Sequence, residues 1–446
     1  MSKSINIEDL NKFSKEYNKS KSNKIMSNIV RKNGVLACAY DFDEASKIQN
    51  IFNVEVKDMP SITNQKQSGR CWMFSGINVL RQIICKNLSI KDIDLSFTYL
   101  FFYDKLEKAN MLYERAIELI DLSKESREWQ FLISNGAEQD GGWWHQFKDL
   151  VKKYGICPMQ AQQEVYSSTS SAEMDSVLKL LQVKHVDILR SLRSNGASID
   201  ELREKKSELL AEVYKVLAIC LGEPVDKFTY SYKKDNDETK TQETITLKST
   251  PKEFFEKFVS VDLDDYVSLV NYPSNEHKYY QKYLNIGAQA QHQEEYFSLN
   301  LPIKELKDAA IKSLKDNNAM WFACDVSSSS FRKDGILSTE VYSINKVFKI
   351  NFEMDKYERL RYFASSCNHA MTLTGVNLTK SGKPNRWKIQ NSWGVENGFQ
   401  GIYIMTDKWF TEYVYNVVVN KKYLSDKAKE ALNSNVITLD PWEPLA

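Results

Sequence analysis

Between Cys71 and Ile84 the apolar positions Met73, Ile77, Leu80 and Ile84 recur along one stripe of a 3.6-residue period, and Ser68-Gly69-Arg70 just before them reads as a loop. The pattern predicts a helix with Cys71 at or beside its N-terminus. Residues 96–135 and 171–221 are charged and periodic, which predicts surface or inter-subunit helices. Asp140-Gly-Gly-Trp-Trp144 predicts a turn, then a helical stretch ending near Tyr154-Gly155, and Lys233–Lys240 reads as a charge-dense loop. From about residue 259 the pattern changes to short β-rich runs. Val259–Leu263, Met320–Val326, Ala370–Val376, Trp387–Ile389 and Gly401–Met405 are the expected strands. Residues 1–60 combine a polar helical pattern with an extended piece at Asn53–Val56. Helices first and strands last predict an α+β fold.

At 446 residues the chain exceeds one average domain, so two lobes or a lobe with large insertions is expected. Its 42% hydrophobic and 12% aromatic content permits a sizeable core. Lys+Arg 60 against Asp+Glu 59 leaves a net charge of +1, which gives no global attraction to nucleic acid or anionic lipid. No run approaches the ~20 apolar residues that span a bilayer, and Met1–Leu10 lacks the apolar run of a signal peptide. The seven cysteines are scattered, odd in number and without a Cys-x-x-Cys pair. That is neither a disulfide framework nor a zinc site, so no cofactor is expected and a reducing cytoplasm is the simplest compartment.

Cleaving an amide with a thiol requires a thiolate, a base, a group that holds the base, and donors for the oxyanion. A helix N-terminus favours an anion, which recommends Cys71 as nucleophile; the other six cysteines read as small core residues. Among five histidines, His369 opens the strand-like run His-Ala-Met-Thr-Leu-Thr-Gly375. Asn391 lies in Trp387-Lys-Ile-Gln-Asn-Ser-Trp-Gly394, where alternation puts Trp387, Ile389, Asn391 and Trp393 on one face. The turn at Lys380–Pro384 would pair this strand with the His369 strand as a hairpin. The Asn391 carbonyl would then accept from one ring N–H, and Trp393 would shield that bond. Gln65, six residues before Cys71, could complete a two-donor oxyanion hole with the Cys71 backbone N–H, with Gln67 as its competitor in the same loop.

Gln65-Lys-Gln-Ser-Gly-Arg-Cys-Trp72, His369-Ala-Met371 and Asn391-Ser-Trp-Gly394 resemble the papain superfamily of cysteine peptidases. Arg70, Tyr266–Asn271, Trp321–Asp325, Gly401–Asp407 and Trp409–Tyr413 resemble its bleomycin hydrolase and bacterial aminopeptidase C branch, over roughly residues 50–446. Cys71 and His369 are 298 residues apart. Small papain-like enzymes have ~130–150, and the surplus corresponds to helical insertions. The resemblance implies a papain-like fold: an extension (1–60), a helical lobe with the nucleophile (61–160), a helical insertion used in oligomerisation (161–258), a strand-rich, barrel-like lobe with His369 and Asn391 (259–436), and a C-terminal arm in the cleft (437–446). It further implies a cytosolic thiol aminopeptidase, a homohexamer with sites facing an internal cavity, and an Ala446 carboxylate that meets the free α-amine of a peptide. Trp143, Cys367-Asn368 and Glu443-Pro444 depart from that branch's usual residues. The competing readings are a papain-like endopeptidase or broad hydrolase with the arm displaced, and a nucleic-acid-binding protein that keeps the fold.

Overall fold

The computed structural model describes residues 3–136, 139–236, 241–285 and 296–444. Its centre is the helix Cys71–Leu88, in which every residue from Trp72 to Cys85 is buried. The apolar stripe predicts one covered face; the structure covers all of them. The helices Phe97–Glu118 and Trp144–Tyr154 pack on one side and the strands His369–Leu378 and Met320–Cys324 on the other.

Phe97–Glu118 is not the surface helix that its charge predicts. Its first turns, Phe97-Thr-Tyr-Leu-Phe-Phe102, are buried, and Phe97 stacks on Phe74 at 3.7 Å between ring centroids. The aromatic content of that segment outweighs its charge. The Ser96 side chain starts the helix by accepting from the Tyr99 N–H. Ala172–Ser194 and Ile199–Leu221 form a helical hairpin restarted by a Ser198/Glu201 capping box. Its inner face, with Leu178, Leu189, Leu209 and Val213, is buried, and it packs on Phe97–Glu118.

Two expected elements are corrected. Lys233–Asn236 belongs to a strand, Phe228–Asn236, that pairs with Thr241–Ser249. Tyr230 is buried there and packs on Phe254, so alternating aromatics override the charge density. Residues 237–240 of the expected loop lie outside the described residues. Val259–Leu263 is not a strand either. The Pro251–Phe258 helix ends with Val259 as its cap, Asp262 caps a 3₁₀ turn at Leu263–Asp265, and the strand begins only at Tyr266.

The strands form a mixed sheet of twelve among the described residues. In space its order runs 436–439, 281–285, 298–300, 266–270, 414–420, 320–324, 369–378, 384–390, 402–406, 336–337, 330–331, with Val54–Glu55 pairing the far end of His369–Leu378. Its core gathers Phe322, Met371, Leu373, Trp387, Trp409 and Val417. The expected hairpin is present: Thr372 faces Gln390 and Leu373 faces Ile389. Pairing stops at Gln390, so Asn391 sits one residue beyond the strand rather than within its alternation. No helix among the described residues is long and apolar enough to cross a membrane.

Gly76 tests how tightly the central helix is enclosed. A Cβ there would lie 2.6 Å from the buried Phe147 ring. Alanine gains about 1 kcal/mol of helix propensity over glycine, but overpacking a core costs about 1–3 kcal/mol. Gly76→Ala should therefore lower Tm in a thermal melt, and adding Phe147→Leu should restore part of the loss.

Candidate active site

The loop before Cys71 is tied across the end of the Pro384–Gln390 strand. The Gln65 N–H donates to the Ser392 carbonyl at 2.8 Å, and the Gly394 N–H donates to the Thr63 carbonyl at 3.1 Å. The Gln65 side chain is buried; its Oε1 accepts from Ser392 Oγ at 2.7 Å, and its Nε2 donates to the Ser68 carbonyl at 2.7 Å. An amide –NH₂ carries two hydrogens, so this last bond commits one of them. Gln65 lines the cavity that Cys71 lines, whereas Gln67 does not and pairs through its backbone with Ser170.

Buried charges fix the same loop from the other side. Arg70, fully enclosed, makes two parallel bonds to Glu164, 3.2 and 2.7 Å, and donates to Ser68 Oγ at 2.9 Å. Asp140 accepts from the Gly69 N–H at 2.7 Å, Lys105 Nζ at 2.6 Å and Ser171 Oγ at 2.5 Å. Burial alone would raise the Asp140 pKa, but the Lys105 ammonium and these hydrogen bonds hold it well below the usual carboxylate range. The Asp140 carbonyl accepts from the Trp72 indole at 2.8 Å. Arg70 and Asp140 thus set the two residues on which the helix starts.

Cys71 is the first helical residue and His369 the first residue of its strand. The thiol is only partly exposed and lies against the backbone N–H groups of Ala370, Trp72 and Cys71 itself. Burial pushes its pKa up, and those donors push the other way. Asn391 is fully buried, and its Oδ1 accepts from His369 Nε2 at 2.9 Å. No hydrogen bond engages the second ring nitrogen, Nδ1, among the described residues. Trp393 stacks on the imidazole, with centroids 4.5 Å apart and planes 26° apart. Burial is the main cause that lowers His369 to about 4; the Asn391 bond opposes it and the Arg332 charge adds to it.

Cys71, His369 and Gln65 open on one cavity of about 960 Å³. Its walls include Met111, Phe131, Trp143, Cys367, Asn368 and Trp393, so two of the three departures seen in the sequence face this space. Asp440, Pro441 and Trp442 line it as well. They follow the strand Val436–Leu439, which pairs with Gln281–Asn285. Trp442 meets Phe131 edge-on at 6.1 Å and carries the Arg127 guanidinium 3.9 Å above its ring. Glu443 stands 3.9 Å from His277. Ala446 lies outside the described residues.

With this geometry in place, comparison with known proteins decides the family. The Peptidase C1-like family model matches residues 4–446. The chain belongs to that family. It is 37% identical to aminopeptidase G of Lactobacillus delbrueckii subsp. lactis, with all of both chains covered. It is 36% identical to aminopeptidase C of Listeria monocytogenes, covering all of this chain and 99% of the other. The crystal structure of PepW from Lactobacillus rhamnosis superposes with a TM-score of 0.94 at 38% identity, over 100% of this chain and 99% of that one. The chain is a papain-like α+β cysteine peptidase, a hydrolase of the aminopeptidase kind.

Sequence reasoning did not find Glu164, Lys105 or Asp140. Their partners are distant in the chain, and periodicity does not mark which charge pairs with which.

Two outcomes follow. Glu164→Ala leaves the Arg70 guanidinium buried without its carboxylate, which typically costs about 3–5 kcal/mol; denaturant unfolding should show it. For His369, an unfolded imidazole titrates near 6.5, so the folded chain binds fewer protons between that value and about 4. Stability from this group is present above pH ~6.5 and is lost as the pH falls toward about 4. Against His369→Gln, the wild type should lose up to about 3 kcal/mol in relative stability across that window, read as Tm against pH.

Proposed function

We propose that Cys71, His369, Asn391 and Gln65 form the catalytic apparatus of a thiol aminopeptidase that releases N-terminal residues from peptides through an acyl-thioester on Cys71. The observation that carries the reading is the 2.9 Å bond from His369 Nε2 to Asn391 Oδ1 beneath Trp393. It commits one ring nitrogen and leaves Nδ1 for a thiol in the same cavity. Burial favours the neutral thiol and the neutral imidazole in the empty site. The thiolate is then made as it attacks: His369 Nδ1 takes the proton while Sγ bonds to the scissile carbonyl carbon. The electron pair moves to oxygen, where the Cys71 N–H and the uncommitted hydrogen of Gln65 Nε2 donate to it. Collapse expels the amine, which takes the proton from His369. Water, deprotonated by the same imidazole, then adds to the acyl carbon; the C–S bond breaks to release the acid, and the imidazolium returns the proton to sulfur.

The arm supplies the exopeptidase character in this reading. Asp440–Trp442 stand in the cavity wall, and two residues beyond Pro444 the chain ends at Ala446. Its carboxylate pairs with the free α-amine of the substrate. Val177, Leu180 and Ile219, exposed on the helical insertion, support burial between subunits, in keeping with a bleomycin hydrolase-like homohexamer whose internal cavity spares other proteins of the cytoplasm.

A fluorogenic peptide assayed with a free and with an acetylated N-terminus tests the proposal. Only the free form should be cut, and Cys71→Ala should abolish turnover without unfolding the chain. Asn391→Ala should lose less, because the base survives but is poorly aimed. Equal cleavage of the acetylated form would discard the arm's role and favour an endopeptidase.

A further inference from the structure

Arg332 is an exposed arginine that lies over a side chain of the cavity wall, and no catalytic step above uses it. Its guanidinium lies 4.7 Å over the Trp393 ring, which itself stacks on His369 at 4.5 Å. The backbone beneath it is held: the Arg332 carbonyl accepts from Tyr403 Oη at 2.6 Å, and the Lys333 carbonyl accepts from the Gly398 N–H at 3.1 Å. The acidic side chains nearest along the two segments are engaged elsewhere. Asp334 accepts from Tyr342 Oη at 2.8 Å, and Glu396 accepts from Asn64 Nδ2 at 3.1 Å. Arg332 has no ion-pair partner among the described residues. A guanidinium stacked on an indole has one face covered and its N–H edge free, the arrangement that suits two-pronged binding of a carboxylate.

The direction of the substrate follows from the chemistry. His369 gives its proton to the departing amine, so the leaving chain runs from Cys71 past the imidazole, away from the arm and onto Trp393. Each residue of an extended peptide spans ~3.3–3.6 Å. The two stacking distances therefore put the guanidinium within roughly three residues' reach of the imidazole. A long peptide passes beyond that point with neutral amides. A short one places its terminal carboxylate there.

We infer that Arg332 binds the C-terminal carboxylate of the leaving portion, so that the enzyme favours di- and tripeptides with a free C-terminus. This rests on the aminopeptidase reading above and adds a substrate class to it.

The test compares a tripeptide and its C-terminal amide, both with a free N-terminus, on the wild type, Arg332→Gln and Arg332→Lys. The wild type should show kcat/KM about tenfold higher for the acid than the amide, carried mainly by KM. In Arg332→Gln that ratio should fall to near one, and Arg332→Lys should keep part of the preference. Because the Arg332 charge also bears on His369, after burial, its removal can alter both substrates; their ratio cancels that effect. A wild type that does not discriminate, or an Arg332→Gln variant that still does, overturns the inference and leaves the aminopeptidase reading standing. A wild type that cuts neither peptide removes that reading and this inference with it.

Discussion

The start of the Cys71–Leu88 helix is joined to the neighbouring strands His369–Leu378 and Met320–Cys324 by polar bonds that water cannot replace. Ser75 Oγ donates to the Met371 carbonyl at 2.7 Å, and the Trp321 indole donates to the Trp72 carbonyl at 2.9 Å. All four residues are buried, so separating the helix from these two strands would strand donors and acceptors in an apolar core. This seam brings a helix N-terminus, with its unpaired N–H groups, against the peptide that follows His369. The thiol and the imidazole are neighbours because two backbones are.

Around the seam, buried charge does what a short loop cannot do alone. Residues 60–70 contain no regular element, yet Gln65 is held on both backbone and side chain, and the Gly69 N–H is held by the Asp140 carboxylate. Arg70 with Glu164, and Lys105 with Asp140 and Asp175 at 2.6 and 2.9 Å, tie that loop to the polypeptide beyond residue 160. Such pairs add little net stability, because desolvation consumes most of the Coulomb gain. What they supply is a single geometry, since any other arrangement leaves a buried charge unpaired.

The cavity wall holds two unlike clusters. At one, an arm crosses from a sheet edge to the helical side, where Phe131 and Arg127 receive Trp442. At the other, His369 stacks on Trp393, and Arg332 lies over that ring without lining the space. The wall between them carries aromatic side chains, among them Phe131, Trp143 and Trp393, and the charged Lys108, Arg115 and Glu128, so a substrate that fills the space meets both kinds of contact.

The local features of the catalytic groups could be read from the amino-acid order alone, because they are set within a few residues: the helix starting at Cys71, the hairpin between His369 and Asn391, and the loop carrying Gln65. Strong β-rich runs such as Met320–Cys324 and His369–Leu378 were readable for the same reason. The order also misled where tertiary packing overrode local composition, in the buried Phe97–Glu118 helix and in the strand Phe228–Asn236, whose last residues, Lys233–Asn236, read as a charge-dense loop. It could not select Glu164 for Arg70 or Asp140 for Lys105, since a charge has no period and many acids were available. Nor could it put Trp442 in the same cavity as Cys71 or Arg332 over Trp393. Periodicity along a chain encodes which face is apolar; which distant face meets it is decided only when the core closes and every buried polar group must find a partner.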